Sequence, residues 1–195
     1  MFTLIRTEIF SQDIKKSRFT AVAGPIASDE EAKRFLADHG DPGANHRCWA
    51  FRLGETYRFS DDGEPSGTAG KPILQAIDGR SIDGVIVVVL RWFGGILLGS
   101  GGLIRAYGGT AAACLDAAEK REIVPMVHTT LACGFSDLAL VKAKLNGVAG
   151  VSIDREDFSA TGATLHIAVP MARIDDVADM IRNATAGRVR LAMPR

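Results

Sequence analysis

A chain of 195 residues with 47% hydrophobic and 24% charged content can bury a core without covalent or metal staples. Lys plus Arg (23) balances Asp plus Glu (23), so no global field draws it to nucleic acid or membrane, and any polyanion site has to be a local patch. Three widely spaced cysteines (Cys48, Cys114, Cys133) without a CxxC pair exclude a disulfide framework, a zinc site and a thioredoxin-like centre as first readings, and suit a reducing cytosol.

The N-terminal MFTLIRTEIF turns polar at Lys15, Lys16 and Arg18, without the apolar core and cleavage site of a secretory signal. Apolar runs fall short of the roughly 20 residues that cross a bilayer, so a cytoplasmic protein without membrane contact is expected. Strands are expected over residues 2–9 and 18–26. Ser28 followed by Glu31 has the spacing of a capping box and opens a short helix through Ala32, Phe35 and Leu36. Asp41-Pro42-Gly43 breaks the chain before a strand at about 47–53.

After a long turn-rich loop, residues 71–77 read as a short helix with Pro72 in its first turn, where a missing N–H is tolerated. Val85 to Leu90 is an unbroken apolar run, rich in β-branched residues, which marks a strand buried on both faces at the centre of a sheet. A glycine loop then leads into a helix over 103–119, with Leu103, Tyr107, Ala111 and Cys114 on one stripe. The charged segment 120–122 precedes a fresh pattern, which sets domains at 1–122 and 123–195. The second part reads as a strand at 126–133, a helix capped by Ser136 or Asp137, strands at 150–156 and 163–169, a helix through Ile174 to Ile181, and a last strand at 188–192. That order, β-α-β-β-α-β, is the ferredoxin-like plan, and the fold class is α+β.

Two segments carry chemistry. The first, Phe59 to Pro72, holds Asp61, Asp62 and Glu64 among hydroxyls, glycines and prolines. It suits a plain turn-rich connection, since these residues favour turns. It also suits an acidic site in which three carboxylates hold a hard cation. Lys71, at a helix start, is placed to meet an anion. The second segment, Arg91 to Tyr107, lies between the most buried strand and a helix N-terminus, where free N–H groups and the helix dipole favour anions. Here Gly99, Ser100, Gly101 and Gly102 allow close backbone approach, Arg91 and Arg105 add charge, and Trp92 and Phe93 offer stacking surfaces if exposed. The same glycines also suit tight packing alone. His46, beside Arg47 and Cys48, has no third partner at a diagnostic spacing and reads as a satisfied histidine at a strand edge.

The stretches FSDDGEPSGTAGKPIL (59–74) and VVVLRWFGGILLGSGGLIRAYGG (87–109), with Ile14 to Phe19 and the His46-Arg47-Cys48 neighbourhood, resemble the IMPACT/YigZ family of bacteria and eukaryotes. The resemblance covers the whole chain. It implies an N-terminal domain with the fold shared by a small-subunit ribosomal protein, elongation factor G domain IV and the GHMP kinases. The C-terminal domain would then resemble elongation factor G domain V. Eukaryotic members regulate translation by competing for an activator of the amino-acid-starvation kinase, through a further N-terminal partner-binding domain that has no counterpart in this sequence. For bacterial relatives the resemblance transfers no enzymatic activity.

The expected function is therefore a translation-associated regulator of the stress-response type, a binding protein that contacts RNA or the ribosome. In that reading Lys71, Arg91 and Arg105 meet phosphate, the backbone of Gly99 to Gly102 meets an anion, and Trp92 stacks; Lys15, Lys16 and Arg18 extend the patch. No catalytic residue, metal or cofactor is assigned. The rivals are a metal-dependent phosphate-ester hydrolase or transferase built on Asp61, Asp62 and Glu64, and a protein-interaction adaptor without a small ligand.

Overall fold

The structure, a computed structural model, describes residues 1–192. The chain divides into two compact units, Met1–Ile123 and Val124–Arg195. It is an α+β protein built on antiparallel sheets.

In the first unit, β1 (Phe2–Leu4), β2 (Glu8–Ile14), β3 (Ser17–Pro25), α1 (Asp29–Asp38), β4 (His46–Leu53), β5 (Thr56–Ser60), α2 (Gly70–Asp78), β6 (Val85–Trp92), α3 (Ser100–Ala117) and β7 (Lys120–Glu122) follow in order. Five strands form one sheet in the order β2-β3-β6-β4-β5, so the apolar run of β6 is its central strand. Alternation along β6 decides which face each side chain serves. Val85, Val87 and Val89 join the core under α2 and α3, whereas Ile86, Val88 and Leu90 join the cluster under α1. Burial on both faces explains why β6 shows no polar alternation.

Helix α1 starts as its sequence predicts: Ser28 accepts a hydrogen bond from the Glu31 amide at 3.2 Å. The Glu31 carboxylate reaches back to the Ala27 amide at 2.7 Å, one residue before the position a capping box uses. Helices α2 and α3 pack closely, with a Cβ at Gly108 standing only 3.4 Å from Pro72. Tyr107 and Phe19 meet edge to face at 5.3 Å between α3 and the sheet.

Several boundaries of this unit differ from the sequence reading, among them that of α3, which starts at Ser100 and not at 103. The single strand expected over 2–9 is two, β1 and β2. Strand β5 lies where a loop was expected; the tight turn after Leu53, with Gly54 at φ 59°, folds its mostly exposed residues back as an edge strand. The charged segment 120–122, with which the sequence reading closes the first domain, is a strand, β7, paired antiparallel with β1.

The second unit holds β8 (Met126–Gly134), α4 (Phe135–Asn146), β9 (Ser152–Phe158), β10 (Gly162–Pro170) and α5 (Ile174–Ala184), with sheet order β8-β10-β9. The expected last strand is reduced to one antiparallel bridge, Leu191 to Leu131. Helix α4 begins at Phe135 with Gly134 as its cap, so neither Ser136 nor Asp137 caps it. Asp137 instead receives two hydrogen bonds from Arg188, at 3.0 and 2.7 Å. Leu131, Val141, Leu165, Ile167 and Ile181 form the separate core of this unit. No helix among the described residues is long and apolar enough to cross a membrane.

Candidate functional site

The acidic loop between β5 and α2 commits its first two carboxylates to backbone. Asp61 accepts hydrogen bonds from the amides of Gly67 (2.8 Å), Ala69 (3.0 Å) and Gly70 (2.8 Å). It thus caps the start of α2, where free N–H groups favour an anion. Asp62 accepts from the Arg47 amide at 2.6 Å, and its carbonyl lies 2.8 Å from His46 Nδ1. These bonds pin the loop to the start of β4. Cys48 is buried there and donates to the Asp61 carbonyl at 2.9 Å; burial pushes its thiol up to about 12.

Glu64 is used differently. It is buried, and its Oε1 accepts from Arg91 Nη1 at 2.6 Å and from the Tyr107 hydroxyl at 2.7 Å, with His46 Nε2 at 3.9 Å. Burial first, then the neighbouring Cys48 and Glu64, push the Tyr107 phenol upward, so it remains a donor. Strand parity explains Arg91: it follows Val85, Val87 and Val89 on the α3 side of the sheet and is only 5% exposed. Its guanidinium is not fully satisfied, because Nε is buried without a hydrogen-bond partner.

This pair lies at a cavity of about 480 Å³. Phe93, Leu97, Leu98 and Leu103 supply its apolar lining, Asn45 and His46 its polar lip, and Gly99 and Ser100 the start of α3. Phe93 is 45% and Leu97 84% exposed, much apolar surface for neighbours on one loop. Two glycines shape the loop. A Cβ at Gly94 would fall 1.9 Å from the Lys16 carbonyl oxygen, and Gly99 adopts φ 73° just before α3.

The sequence-predicted residues therefore divide. Glu64, Arg91, Gly99 and Ser100 line one cavity. Gly101 and Gly102 complete the first turn of α3, and Arg105 is exposed one turn on, its Nη1 3.5 Å from the position of a Gly101 Cβ. Lys71 is exposed at the start of α2. Trp92, by the same parity, belongs to the α1 side, where Arg18 sits over its ring at 4.1 Å. The exposed ring at the cavity is that of Phe93 instead. The surface role expected of Arg91 meets a buried, charge-opposed guanidinium, and Asp61, Asp62 and Glu64 do not converge. Among the described residues no three His, Cys, Asp or Glu side chains are grouped to hold a metal. Sequence reasoning missed Tyr107 as Glu64's partner and Asn45, whose side chain accepts from the Phe93 amide at 2.8 Å. Neither carries a local signal.

Comparison with known proteins places these residues in a family. Residues 15–115 match the Impact N-terminal domain. The chain is 35% identical to the Escherichia coli (strain K12) IMPACT family member YigZ over 189 residues, covering 92% of this chain and 91% of that one. It is 48% identical over 132 residues to a Thermus thermophilus IMPACT family member in the pol 5' region, covering 68% and 73% of the two chains. A crystal structure of a hypothetical protein, 32% identical, superposes with a TM-score of 0.73 and covers 100% of this chain and 97% of its own.

Proposed function

The chain belongs to the IMPACT family, and from that premise we propose that it is a cytoplasmic, translation-associated binding protein that grips RNA, free or in the ribosome, through its N-terminal unit. The reading includes the fold kinships implied for the two units, a ribosomal-protein-like N-terminal fold and a ferredoxin-like C-terminal one. The observation that carries it is the first turn of α3. The amides of Ser100, Gly101 and Gly102 have no carbonyl partner within the helix, because its first bond runs from the Leu103 amide to Gly99. The exposed Arg105 folds towards that turn, and exposed Lys71 stands on the neighbouring helix. Backbone donors at a helix start with an exposed guanidinium beside them suit phosphate oxygens. The rival built on Asp61 and Asp62 finds both carboxylates engaged by backbone amides.

The test is co-sedimentation with ribosomes and with RNA across a salt series. Lys71→Ala and Arg105→Ala weaken association, and the salt slope becomes shallower by roughly 0.7–0.9 for each phosphate that is no longer neutralised. Both side chains are exposed, so the variants stay folded. Unchanged binding in the double variant removes this reading.

A further inference from the structure

We infer that the cavity beside α3 takes a single unstacked nucleotide, its ring lying against Phe93 and the leucine walls, its edge meeting Arg91 and Glu64, and its phosphate at the first turn of α3. The choice of a nucleotide rests on the RNA reading above; the physical demand for a ligand of this shape does not. Arg91 and Glu64 are buried charged groups that nevertheless line the open cavity, and buried polar groups in folded proteins are almost always fully paired. Both hydrogen bonds to Glu64 fall on Oε1, and among the described residues no side-chain or backbone donor uses Oε2. Arg91 and Glu64 both line the cavity, so its inner end sets a guanidinium next to a carboxylate.

The walls make the opposite demand. Phe93, Leu97 and Leu98 present apolar surface to an open space of about 480 Å³, a volume in the range of small-ligand pockets. At the third point, where Gly99 and Ser100 line the cavity, the free amides of the first turn of α3 suit an anion. A flat apolar body with adjacent donor and acceptor on one edge and an anion on a short arm meets all three. A nucleotide has that form, since every base carries a donor next to an acceptor on its pairing edge. An aliphatic or aromatic acid would satisfy the amides but leave Arg91 and Glu64 unmatched. Inorganic phosphate would leave the walls bare.

The experiment is an NMR titration of leucine methyls in the full chain with the four nucleoside 5′-monophosphates, the nucleosides and inorganic phosphate. At least one monophosphate should shift Leu97, Leu98 and Leu103 saturably, more tightly than its nucleoside and more tightly than phosphate. Phe93→Ala should weaken it by about fivefold or more, the loss expected of one stacked base. Leu97→Asp, at a site 84% exposed and hence safe for folding, should weaken it too by setting a carboxylate beside the phosphate arm. No shift at millimolar concentrations, equal binding of phosphate alone, or full affinity in both variants overturns the inference. Ribosome association that persists without nucleotide binding overturns the cavity inference alone. Nucleotide binding by a chain that ignores RNA keeps the cavity as a nucleotide site and removes the RNA reading.

Discussion

Glu64 and Arg91 stand 27 residues apart in sequence and meet inside the protein, each with a side chain less than a tenth exposed. Taking two charges out of water is offset only by close geometry, so removing one partner strands the other. Glu64→Gln should therefore lower the stability of the first unit by about 3–5 kcal/mol, while Glu64→Leu combined with Arg91→Met should lose much less. Both tryptophans, Trp49 and Trp92, lie in this unit, so urea unfolding followed by tryptophan fluorescence reads it selectively. A midpoint unmoved by Glu64→Gln would mean that the pair is solvated. Such a pair is a weak device for stability alone. The parity that buries Arg91 was legible in β6, because it shares a face with Val85, Val87 and Val89. Its partner was not, since no local spacing links a loop carboxylate to a strand end.

Elements were legible where one local force dominates. The run of β6 announces a central strand, and Ser28 with Glu31 announces α1. Strands β5 and β7 escaped because both are short and mostly exposed, so their hydrogen bonds come from partners distant in sequence or from a tight turn rather than from apolar patterning. The start of α4 escaped because Asp137 is engaged by Arg188, beyond α5, and not by its own helix. That clasp has a pH signature. The hydrogen bonds from Arg188, opposed by burial, hold the Asp137 carboxyl below the usual range. A depressed folded value means its stabilisation is present above the unfolded value of about 3.9 and is lost as pH falls through the lower folded one. Amide exchange in α4 should quicken on acidification across that window. In Asp137→Asn it should already be fast near neutrality and show no such step. A matching acid step in the variant would assign the effect to another group.

At the scale of the whole chain, the division between the units falls between Ile123 and Val124, one residue beyond β7 and one residue beyond the boundary read from the sequence. The pairing of β7 explains why the first unit reaches this far. Strand β7 pairs with β1 over Phe2–Glu122, Thr3–Arg121 and Leu4–Lys120, and the Ile123 amide donates to the Met1 carbonyl at 2.9 Å. The Ile5 amide donates to the Glu119 carbonyl at 3.0 Å. Strand β1 also bridges Ile82, and its Leu4 is buried in the main core of the unit. The charged segment that closes the first unit thus holds its first strand in place. A chain ended after Ile123 should unfold with tryptophan fluorescence at nearly the midpoint seen for the first unit of the full protein. One ended after Glu119 loses the β1–β7 ladder and the Met1 clasp. At about 1 kcal/mol per net hydrogen bond, its stability should drop by about 2–4 kcal/mol. Exchange at the amides of residues 2–5 should rise with it, while β6 stays protected until global unfolding. If the two truncations unfold at the same denaturant concentration, β7 contributes nothing and the boundary belongs before it, at the charged residues themselves.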